Sequence, residues 1–74
     1  MTMKELVQMI NHEENFDKAD GMLQMLNAIY GTQYGLLNRR VVRFDNADAS
    51  VAERYAHCHD VWAELDYDSW SELN

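Results

Sequence analysis

Met3, Leu6, Val7 and Ile10 fall at the i, i+3, i+4, i+7 spacing of a single helical face. Thr2, with Glu5 three residues on, forms a capping box, so the first predicted helix runs from about Thr2 to His12. A second helix is predicted over Asp17 to Tyr30. Ala19, Met22, Leu23, Leu26, Ile29 and Tyr30 cover about half its circumference, while Asp17, Asp20, Gln24 and Asn27 take the rest. So wide an apolar arc touches more than one neighbour and places this helix centrally. Gly31 supplies a C-terminal stop. Gly21 lies inside the segment at a cost of about 1 kcal/mol relative to alanine. Either the helix frays there or another backbone comes close.

From Thr32 to Asn46 the pattern is mixed. Tyr34, Leu37, Val41 and Phe44 fit helical spacing, yet Arg40-Val41-Val42-Arg43-Phe44 has the β-branched and aromatic character of a short strand. A lone strand in a helical domain has no partner, which favours helix. The longest helix is predicted over Ala47 to Leu65. Val51, Tyr55, Cys58, Trp62 and Leu65 form one stripe there, and Glu53, His57, Asp60 and Glu64 form the opposite one. Asn46 or Asp48 can cap it, and Ser50 with Glu53 is a further capping-box match. A short last turn over Ser69 to Leu73 is capped by Asp68. The chain contains no proline to interrupt these elements. The predicted fold is all-α: one domain over residues 1–74, a compact bundle of three to five helices, with residues 40–44 as the one strand-like segment.

Size bears on how that bundle is held. A core drawn from 74 residues supplies only about 3–5 kcal/mol of net stability. The single cysteine, Cys58, excludes an internal disulfide. Self-association or a larger partner is the expected supplement. No run approaches the length of a membrane span, and Met1-Thr2-Met3-Lys4-Glu5 has no apolar signal region, so a reduced, cytoplasmic protein is expected.

Charge changes the picture most. Asp and Glu number 13 against 6 Lys and Arg, a formal net charge of −7. Nucleic acid and anionic membrane repel such a chain as direct ligands, whereas a basic protein surface attracts it. Acids and aromatics interleave in the last third, and Glu53, Asp60, Glu64, Asp66, Tyr67, Asp68, Trp70 and Glu72 are the predicted partner-binding residues. On a continuous helix, Asp60 and Glu64 would repel one another near its negative end, so lysine would suit local stability better there.

Three other groupings point less far. Glu53, His57, Asp60 and Glu64 on one face could approach a cation, but an amphipathic helix needs a solvated face in any case. His57, Cys58 and His59 point about 100° apart on a helix, so Cys58 reads as a small buried hydrophobe with no base aimed at it. Arg39, Arg40 and Arg43 could clamp an anion, yet the acidic C-terminal third is the nearer counterion. No catalytic, metal or cofactor motif emerges.

In size and charge the chain is similar to the small acidic helical proteins with which phages and mobile elements block host nucleic-acid enzymes, the anti-restriction and anti-CRISPR types. That likeness implies a non-enzymatic inhibitor that docks on a basic site of a larger protein, its carboxylates standing in for phosphates. The alternative is a small regulatory or structural subunit that forms a homodimer through Ala52, Ala56 and Ala63 or through the Tyr55 and Trp62 stripe.

Overall fold

A computed structural model describes residues 1–66. Two helices, α1 (Met3–His12) and α2 (Phe16–Tyr30), precede a hairpin of β1 (Gly35–Leu37) and β2 (Arg40–Phe44). A short helix α3 (Val51–Ala56) leads into β3 (Cys58–Asp60), and a fourth helix, α4, occupies residues 61–66. The fold is therefore mixed α/β, with a three-stranded antiparallel sheet in the order β1-β2-β3, and not the all-α bundle expected from periodicity.

The first two helices follow their local signals. Thr2 accepts from the Glu5 amide as the N-cap and donates to the Glu5 carboxylate through its hydroxyl. Asn15 caps α2 by accepting from the Lys18 amide. Gly31, at φ 65°, ends α2 in the left-handed region as a C-terminal glycine does. Antiparallel to each other, α1 and α2 bury Val7, Ile10, Ala19, Leu23 and Leu26 against Val41 and Val61.

The second half departs from its periodicity. Residues 40–44 are a strand because they have partners on both sides. Leu36 faces Val41 in β1, and Arg43 faces His59 in β3. Val41 and Val42 project to opposite faces and are both buried, as befits a central strand covered on each side. Val41 joins the helical core. On the other face Phe44 meets Tyr55 of α3 edge-on, with ring centroids 5.0 Å apart.

The helix predicted over Ala47 to Leu65 is broken. Ser50, and neither Asn46 nor Asp48, caps α3. The helix stops at Ala56, His57 leaves helical geometry at φ −127°, and Cys58–Asp60 pairs with β2 before α4 begins. The apolar stripe is thus divided. Val51 is 62% exposed, Tyr55 packs on Phe44, and Trp62 packs on the helical core. Cys58 is only half-buried and sits on a strand, its thiol directed at the Tyr55 carbonyl.

Two asparagines join helices to sheet. Asn11 Oδ1 accepts from the Val41 amide at 2.9 Å, one residue beyond the end of β2–β3 pairing. The Asn27 carboxamide meets the Tyr34 backbone twice. It accepts from the amide at 3.0 Å and donates to the carbonyl at 3.1 Å.

The β1–β2 turn places Asn38 at φ 50° and Arg39 at φ 65°. Two positive φ values in a two-residue hairpin turn suit Asn-Gly, so Arg39 occupies a glycine position. Arg39→Gly is expected to raise stability by about 1 kcal/mol, measured by urea unfolding. Gly35→Ala is expected to act in the opposite sense. A Cβ there lies 2.5 Å from Phe44 Cζ and 2.8 Å from Tyr55 Oη, so the aromatic pair must shift, at a cost of about 1–3 kcal/mol in the same assay.

Candidate docking surface

Because strand β3 stands between α3 and α4, Glu53, His57, Asp60 and Glu64 do not share a face. Glu53 is exposed on α3 beside its cap, Ser50. Asp60 closes β3 and Glu64 lies on α4. Among the described residues no three His, Cys, Asp or Glu side chains converge as a metal site requires. Tyr67, Asp68, Trp70 and Glu72, predicted as partner-binding, lie outside the described residues, as does the predicted turn over Ser69 to Leu73.

The arginines and the acids find each other. Arg40 grips Asp60 through Nε at 2.7 Å and Nη2 at 2.9 Å. Arg43 grips Glu64 through Nε and through Nη2 at 2.9 Å. Asp45 stands 3.8 Å from Arg43 and 2.7 Å from His59. Lys4 pairs with Asp66 at 3.2 Å and lies over the Trp62 ring at 5.1 Å. Antiparallel pairing produces this arrangement. Val42 faces Asp60, so Arg40 on the same sheet face reaches it diagonally, while Arg43 on the other face reaches α4.

These pairs reverse one local argument. Asp60 lies at the N-terminal end of α4, where its Oδ2 accepts from the Ala63 amide at 3.0 Å. A carboxylate suits that position by capping and by the helix dipole, and lysine does not. Bonding to Arg40, then the Ala63 amide, holds the Asp60 carboxyl below its ordinary range. Bonding to Arg43 does the same for Glu64. Burial opposes both shifts without overcoming them.

Other acids have no basic side chain within 4.0 Å among the described residues. Glu13, Glu14 and Asp17 ring the α1–α2 corner, with Phe16 61% exposed among them. Asp20 follows one turn along α2, bonded to Gln24. A cleft of about 600 Å³ is lined by Phe16 and Asp20 of α2, by Asp48 in the β2–α3 loop, and by Tyr34, Phe44 and Tyr55. Arg54 also lines the cleft, its guanidinium held by neutral groups. Nη1 donates to the Ala47 carbonyl at 3.2 Å and the guanidinium lies 5.5 Å from the Phe44 ring, leaving Nε buried with no polar partner. This arginine ties the β2–α3 loop to the sheet and so shapes the cleft wall.

Periodicity does not mark this surface, because Asp17 and Asp20 fall on the ordinary polar half of an amphipathic helix. The signal that marks it is Phe16, an aromatic at the first helical position that stays 61% exposed.

Compared with protein-family models, with curated proteins and with solved structures, the chain matches none.

Replacing Asp60 by alanine is expected to cost about 1–2 kcal/mol, because a cap and a bidentate pair are lost together. Reversal of both Asp60 and Glu64 to lysine is expected to destabilise the fold further, as read by urea unfolding. Both carboxyls have depressed pKa values in the folded state, so their contribution is complete above the unfolded values of about 4 and disappears as pH falls below them. Acid unfolding followed by circular dichroism checks the sign. Wild-type stability falls as pH drops below about 4, and the double alanine variant loses less over that interval.

Proposed function

We propose that this chain is a non-enzymatic docking protein that holds a basic segment of a larger protein in the cleft between α2 and the β2–α3 loop. One observation carries the reading. Asp45, Asp60, Glu64 and Asp66 have internal partners, so of the described acids without one, Glu13, Glu14, Asp17, Asp20 and Asp48 lie at the α1–α2 corner and the cleft, and only Glu5 and Glu53 lie elsewhere.

Chemically the cleft suits an arginine or lysine side chain. Its volume lies within the 300–1,000 Å³ range of ligand sites. Asp20 and Asp48 both line it with carboxylates, and Tyr34 adds an aromatic ring to the lining. Phe16 adds an exposed aromatic anchor at the mouth. A basic enzyme of nucleic-acid metabolism is one partner of this kind, and docking there blocks its substrate by occupancy. Asp60 and Glu64 are not needed as phosphate stand-ins, since arginines already occupy them.

Fluorescence anisotropy with a labelled oligoarginine peptide tests the proposal. Binding is expected to weaken as salt rises, because charge steers it. Combining Asp20→Lys with Asp48→Lys is expected to lower affinity about tenfold or more, while Glu53→Lys changes it little. Full-strength binding by the Asp20, Asp48 double variant overturns the reading, as does equal binding of an uncharged peptide of the same length.

A further inference from the structure

Six Lys and Arg residues serve the whole sequence, and their surroundings differ. Lys4, Arg40 and Arg43 each meet a carboxylate. Lys18 and Arg39 have none within 4.0 Å among the described residues, but both are exposed to water. Arg54 alone is half-buried with no carboxylate at that distance among the described residues. Taking a guanidinium out of water without a counterion is costly, and a chain with 13 acids is not short of counterions. Asp48 lines the same cleft and still does not close on it. Only one nitrogen of Arg54, Nη1, has a polar partner among the described residues, the Ala47 carbonyl at 3.2 Å. Nε is buried and unpaired, which leaves Nη2 to reach a ligand. The Ala47 bond and the Phe44 ring, 5.5 Å from the guanidinium carbon, fix the group against the cleft wall. A guanidinium held in place without an acid is one half of a charge-assisted pair.

We propose, on the reading of the cleft as the docking site, that Arg54 receives a carboxylate of the docked segment, so that the cleft recognises a basic residue with an acid beside it. Asp20 and Asp48 take the basic side chain, Arg54 takes the acid, and the occupant matches both signs of charge in the lining. A volume of about 600 Å³ suits an occupant of that size. Charge decides between a carboxylate and a phosphate. A phosphate brings nearly two negative charges beside Asp20 and Asp48, which repel it, whereas a carboxylate brings one. In a protein the carboxylate has two sources. One is the C-terminus of a chain that ends in arginine or lysine, and the other is an aspartate or glutamate next to the basic residue. A segment of arginine alone binds through Asp20 and Asp48 but sets a like charge against Arg54, and so binds less tightly.

Fluorescence anisotropy with three labelled arginine peptides of equal length tests the proposal. One ends in a free carboxylate, one ends in an amide, and one is amidated with a glutamate before its last arginine. The wild-type protein is expected to bind at least one of the two carboxylate-bearing peptides about tenfold tighter than the plain amide. Which of the two it prefers identifies the source of the carboxylate. Arg54→Gln is expected to reduce that preference to less than about twofold and to strengthen binding of the plain amide, because a like charge is removed. Equal binding of all three peptides by the wild type overturns the proposal and leaves cleft docking standing, whereas binding of none overturns both. The wild-type comparison decides whether or not Arg54→Gln folds. In a folded Arg54→Gln protein, weaker binding of all three peptides with the carboxylate preference kept marks Arg54 as a support of the cleft wall only, and likewise overturns the proposal.

Discussion

Pairing of β2 with β3 is the interaction on which the rest of this structure depends. Three residues, Cys58–Asp60, give up helical hydrogen bonds to lie beside Val42, Arg43 and Phe44. In doing so they place Asp60 within reach of Arg40 and begin α4 with a carboxylate cap. They also aim Glu64 at Arg43, so a non-local ladder, a cap and two bidentate ion pairs are satisfied together. No one of these is large, since exposed ion pairs contribute little singly. Their mutual consistency is what outweighs the helical preference of the surrounding segment.

That competition explains what could be read from the chain. The α1 and α2 helices were legible because their signals are local: Thr2 with Glu5, a clean 3.6-residue period, and Gly31 in the left-handed region. Pairing of arginines with the acidic C-terminal third was legible from charge alone, and it holds for Arg40 and Arg43. The sheet was not. Gly35–Leu37 and Cys58–Asp60 are too short to show a period of two, and without them Arg40–Phe44 has no visible partner. Residues 51 to 65 carry helical spacing throughout, and periodicity is blind to a three-residue excursion that preserves it. The cleft was hidden for a related reason, since Asp20 and Asp48 lie 28 positions apart and line one cleft only in the folded chain.

On either side of its buried stripe, α2 carries two further flanks. One carries Asp20 and Gln24 to the cleft, and the other carries Gly21, Met25 and Ile29 outward.

Asn27 has a consequence for solubility. A sheet of three short strands leaves an open edge at β1, and open edges invite addition of further strands and fibrillar growth. By meeting both the amide and the carbonyl of Tyr34, one carboxamide occupies the place that an incoming chain's backbone would take. Asn11 instead meets the amide of Val41 on the central strand, where β3 has ended, so that this group is not left unpaired. A small domain whose sequence is 47% hydrophobic is thereby directed away from open-ended association through its strands.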